Sequence, residues 1–112
     1  MQNQENLTEK PRKGGCSCCL SKTKKRSEEE YKALLNRLNR VEGQVRGIRG
    51  MVEREAYCTD ILVQCAAVNA AMNAFSRELL GNHIRTCVAH DLREGHDEVV
   101  DELLATLQKL MK

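Results

Sequence analysis

The segment CTDILVQCAAVNAAMNAFSRELLGNHIRTCVAH, residues 58–90, decides the fold. Cys58, Ile61, Leu62, Cys65, Val68, Met72, Phe75, Leu79, Leu80, Ile84, Cys87 and Val88 recur mostly at spacings of three and four, the period of one helix face. Thr59 and Asp60 give its start an acidic, capping character. About 30 residues at roughly 1.5 Å rise make a rod of about 45–50 Å, longer than a compact domain of this size covers by itself. The apolar stripe must therefore be buried by another subunit. A symmetric dimer that lays two such rods antiparallel, as a four-helix bundle, solves this with one self-complementary interface.

Upstream, Ser27 stands three residues before Glu30, as in a capping box. Tyr31, Leu34, Leu35, Leu38, Val41, Val45, Ile48, Met51 and Val52 then trace a helix of roughly 28 to 55. Downstream, Gly95 marks a connection, and Val99, Val100, Leu103, Leu104, Leu107, Leu110 and Met111 mark a short third helix. No strand alternation occurs. The expectation is an all-α, three-helix protomer with its first two helices long and antiparallel.

Residues 1–26 differ in kind. They hold the only Pro (Pro11), a Gly14-Gly15 step and no sustained apolar period. Seven basic residues against Glu5 and Glu9 give them +5, whereas residues 27–112 carry eleven basic against fourteen acidic residues, or −3. The chain thus divides into a disordered basic arm, 1–26, and a helical domain, 27–112. A basic arm on a mildly acidic body is compatible with nucleic-acid contact, although such arms are more often simply solvated.

At 112 residues with one Phe, two Tyr and no Trp, there is room for one domain with a core of aliphatic side chains. No apolar run reaches the roughly 18 residues of a membrane span, and no signal-peptide pattern opens the chain, so the expected location is the cytoplasm, without a membrane partner. Six cysteines in a reducing compartment read as metal ligands, redox thiols or core fillers rather than disulfides.

His83 and Cys87, at i and i+4, project from one helix face and can grip one ion. Cys58 lies 25 residues earlier. One continuous helix separates it from His83 by about 37 Å, far beyond metal–ligand bonds of about 2 Å. Nothing in 59–82 demands a break, Gly81 being the weakest helix former there. In the antiparallel dimer, however, the start of one rod lies beside the end of the other, so Cys58 faces His83 and Cys87 of a second chain. Two thiolates and an imidazole suit trigonal copper(I) better than zinc, which usually takes a fourth ligand. On spacing alone, two core cysteines and a satisfied helix histidine explain these residues equally well.

The run LNRLNRVEGQVRGI (35–48), the segment YCTDILVQ (57–64) and NHIRTCV (82–88) together resemble the copper-sensitive operon repressor family, over about residues 28–111. That family also includes nickel/cobalt, formaldehyde and persulfide sensors. The resemblance implies a tetramer built as a dimer of dimers, operator DNA bound by the metal-free protein, and release of DNA when metal binds. It places Cys58, His83 and Cys87 on the family's copper ligands. It also implies an outer shell in which Tyr57 and an acidic residue of the third helix hydrogen-bond around the ligand histidine; Glu102 fits best, although the loop before it is one residue shorter than in relatives. Tyr57 reads equally as a packing residue flanking the helix.

The family motif gives Arg37 a DNA-contacting role. Arg40 and Gln44 join it by geometry, since i, i+3 and i+7 share a face. With few aromatics and no helix-turn-helix, recognition is expected to lean on phosphates and DNA shape. Cys16, Cys18 and Cys19 lie outside the resemblance and read as a copper or zinc cluster, a redox sensor or incidental tail residues. Cys65 reads as core.

Four alternatives stay open or are disfavoured on residues. A persulfide sensor would link Cys58 and Cys87 through sulfur; His83 speaks against it, while the cysteine-rich arm keeps it open. Formaldehyde and nickel sensors would use an N-terminal amine or a His near the start of the fold, and residues 1–26 contain no His. A copper-buffering protein using Cys16, Cys18 and Cys19 would need no DNA contact. No nucleophile–base pair, phosphate loop or paired carboxylates point to an enzyme.

Overall fold

A computed structural model of the chain describes residues 23–111. Most of the expected arm, including Cys16, Cys18 and Cys19, lies outside the described residues. The elements are α1 (Glu28–Glu53), α2 (Cys58–His83), a π-helical segment (Ile84–Val88), α3 (Ala89–Arg93) and α4 (Glu98–Leu110). Helical backbone runs unbroken from α2 through the π segment into α3, so the described residues form three helices. Among the described residues there is no strand. The fold is all-α, as expected.

The α1 boundaries follow from local chemistry. Ser27 takes the N-cap position, and its Oγ accepts from the Glu30 N–H at 3.1 Å. The Glu30 carboxylate lies 3.8 Å from Arg26 Nε, a turn back along the chain. Glu28, Glu29 and Glu30 place negative charge in the first turn, where the helix dipole favours it. At the other end Ala56 N–H donates to Met51 O (2.8 Å) and Glu55 N–H to Val52 O (3.1 Å). This is a Schellman closure, and it holds Glu55 at φ 59°, a left-handed conformation usually left to glycine.

The same device closes α3. His96 N–H donates to Asp91 O (2.8 Å) and Gly95 N–H to Leu92 O (3.1 Å), here with Gly95 at φ 85°. The Tyr57 carbonyl accepts the first helical bond of α2, from Ile61 N–H at 3.2 Å. Thr59 and Asp60 therefore lie within the first turn rather than ahead of it, where Asp60 faces the dipole.

The described residues divide into two compact units, Arg26–Asn82 and a second that joins residues 23–25 to residues 83–111. In the first, Leu34 of α1 is the buried residue and α2 buries none; Leu62 and Val63 are each 63% exposed. In the second, Cys87, Val88, Asp91 and Val99 form a small buried centre. Within one chain the α2 part of the apolar stripe is only partly covered: Ile61, Cys65, Val68, Phe75, Leu79 and Leu80 are half-buried, and Leu62 and Met72 are exposed.

Candidate metal centre

Cys58 is the first residue of α2 and is exposed, with Tyr57 just ahead of it and 72% exposed. His83 is the last residue of α2 and is half-buried. Cys87 follows one turn later, inside the π segment, and is fully buried at 0% exposure. One soft donor is thus open to solvent, one is covered, and an imidazole of intermediate exposure sits near the covered one in sequence. Among the described residues, no group of three or more His, Cys, Asp or Glu side chains is close enough to hold a metal ion.

The π segment replaces i→i+4 hydrogen bonding by i→i+5 over five residues. The Ala89 N–H that ends it reaches back to Ile84 O. Such insertions widen the helix locally and recur at functional sites. Here the segment carries Cys87, and no residue type in IRTCV announces it.

Cys87 has company that its sequence neighbourhood does not suggest. Lys24 Nζ donates to Cys87 Sγ at 3.1 Å and to Thr86 Oγ1 at 2.8 Å, and the Thr86 hydroxyl donates to the same sulfur at 3.6 Å. Two side-chain donors thus converge on the one sulfur. In the sequence Lys24 is one of several basic residues of the arm, without a pattern that ties it to residue 87.

Glu102 lies on α4, exposed, and its main-chain carbonyl accepts from Thr106 Oγ1 at 3.0 Å. On α1, Arg37 and Arg40 are exposed, whereas Gln44 is half-buried, with Oε1 covered and without a hydrogen-bond partner. Arg49, further along α1, pairs with Glu53 at 3.3 Å between two exposed side chains.

These features define a class of protein, a small all-helical chain with separated soft donors and an arginine-bearing helix. The chain belongs to the metal-sensitive transcriptional repressor family, whose pattern matches residues 30–109. It is 47% identical over 88 residues to the copper-sensing transcriptional repressor CsoR of Bacillus subtilis (strain 168), covering 78% of this chain and 87% of that one. Its structure is similar to that of the copper-sensing repressor CsoR with Cu(I) from Geobacillus thermodenitrificans NG80-2, at TM-score 0.75 and 43% identity over 79% of this chain and 93% of that chain. It is also similar to the nickel-responsive transcriptional regulator InrS, at TM-score 0.64 and 34% identity over 75% of this chain and 96% of that chain.

Proposed function

We propose that this protein is a copper(I)-responsive repressor, binding operator DNA when metal-free and releasing it when copper is bound by Cys58 of one subunit with His83 and Cys87 of another. One observation carries the reading. Cys58 opens α2 and His83 closes it, while α2 buries no residue within its own chain. Antiparallel pairing of two α2 helices covers the stripe and joins the donor set in one step. Two such dimers would make the tetramer, and residues 27–112 the folded domain behind the basic arm.

The donors fit the ion. Two thiolates and a neutral imidazole form a soft set that favours copper(I), and the greater identity to the copper-sensing relatives than to the nickel-responsive one points the same way. Tyr57 and Glu102 would orient the His83 ring from outside the ligand set. Arg37, Arg40 and Gln44 on α1 would contact DNA, with the exposed arginines meeting phosphates. The protein would act in the cytoplasm by binding rather than catalysis. No described helix is long and apolar enough to cross a membrane.

The test is an anaerobic titration of the reduced protein, bound to a labelled promoter fragment, with copper(I). Release should be complete near one copper per subunit. Release by persulfide but not by copper would overturn the reading.

A further inference from the structure

Cys87 Sγ cannot be reached from solvent in the conformation described, because the residue is fully covered. A metal ion needs access to that sulfur, so something must leave. Most of what surrounds Cys87 is committed to helix: Thr86 and Val88 are neighbours in the π segment, and Ala89 to Arg93 continue it. Lys24 is different. It stands on residues 23–27, which have no regular secondary structure, and it reaches Cys87 across 63 positions of sequence through one flexible side chain. Its ammonium can swing away from the sulfur without breaking a helix, as a residue of the helical segment itself cannot.

The chemistry of the contact adds to this. A lysine ammonium is a compact, strongly hydrated cation that returns to water readily. It is held at 3.1 Å from the sulfur and 2.8 Å from Thr86 Oγ1 by hydrogen bonds alone. A soft cation that forms a bond to sulfur competes for the same lone pairs and displaces it.

We propose that Lys24 is a gate on the ligand thiol, closed over Cys87 in the metal-free protein and expelled when a soft metal ion binds there. The proposal rests on the reading of Cys87 as a ligand. In the exchange, the thiolate–ammonium pair opens, a sulfur–metal bond forms, and Lys24 keeps its proton and enters solvent. Metal occupancy is thereby transmitted to Lys24 and its neighbour Lys25, two adjacent positive charges of the same compact unit as Cys87. A closed gate holds these charges near the π segment, and an open gate releases them.

The experiment is competitive acylation of the full-length protein by a water-soluble N-hydroxysuccinimide ester. Labelling of Lys24 is read by mass spectrometry relative to exposed Lys25, an internal reference one residue away. In the metal-free protein Lys24 should label about tenfold more slowly than Lys25, a factor corresponding to about 1.4 kcal/mol. Copper(I), with uptake measured by chelator competition on the same sample, should bring the ratio near one. Thr86→Val, at an exposed position, should raise the ratio without metal while thermal unfolding confirms the fold, and Cys87→Ser provides a second variant.

Equal labelling of Lys24 and Lys25 in the metal-free protein overturns the contact. Slow Lys24 labelling that persists after proven copper uptake overturns the gate. Absence of copper uptake defeats the ligand reading instead, and the contact is then judged by Thr86→Val, where an unchanged ratio rejects it.

Discussion

Cys58 and His83 are the two end residues of a single 26-residue α-helix. A donor set that includes both cannot close within that helix, and this relationship makes ligand ownership testable. A heterodimer of a Cys58→Ala chain with a Cys87→Ala chain puts both defects into one of two intersubunit sites and leaves the other intact. About half the copper(I) capacity of the native dimer should survive, counted by chelator competition on purified heterodimer. A site contained in one chain would be damaged in both subunits, and capacity would fall to nothing.

The α2 stripe, with no residue fully buried within its own chain, predicts assembly. Sedimentation at micromolar concentration should show a dimer or tetramer. A well-folded monomer would remove the intersubunit site together with the assembly.

Arg37 is exposed on α1, so Arg37→Ala should leave the fold and copper affinity nearly unchanged while weakening operator binding. Loss of one phosphate contact should also reduce the slope of log affinity against log salt by about one. Fluorescence anisotropy on the promoter fragment across a salt series measures both. Unchanged affinity and slope would take Arg37 off the DNA-contacting face.

His83→Ala retains both thiols and should keep part of the copper affinity while losing most of the copper-driven DNA release, because the imidazole and its outer hydrogen bonds link the ion to helix packing. Titrations of metal binding and of DNA release on the same variant separate the two effects. Full release by His83→Ala would mean that the signal leaves the site through the thiolates alone.

The two Schellman closures give a paired stability test. Glu55 sits at φ 59°, so Glu55→Gly should stabilise by about 0.5–1 kcal/mol through relief of left-handed strain. Gly95 sits at φ 85° and an added Cβ would meet nothing within 4 Å, so Gly95→Ala should cost about 1 kcal/mol from backbone conformation alone. Denaturant midpoints at fixed protein concentration read both. Equal signs for the two substitutions would contradict the common geometry.

The helices were legible because their signals are local. Ser27, the three- and four-residue apolar spacing and Gly95 mark the cap, the faces and the turn, and α1 ends at Glu53 against an expected end near 55. The early stop has a reason that single residues do not advertise, since Glu55 takes a conformation for which its side chain has little preference. The three donors were visible as residue types, but their unequal burial was not. Cys58 is exposed and Cys87 covered because of packing contributed by residues remote in sequence, Lys24 among them. The π segment was equally hidden, because IRTCV is ordinary helical sequence whose hydrogen-bond register is set by its surroundings. On α1 the spacing grouped Gln44 with Arg37 and Arg40, yet the amide oxygen of Gln44 is covered while both arginines are open.

A 26-residue helix that buries no residue within its own chain also bears on how much of the protein a cell must make. When folding depends on association, stability grows with protein concentration and is lost by dilution. Gene dosage then sets the melting temperature as well as the number of repressors.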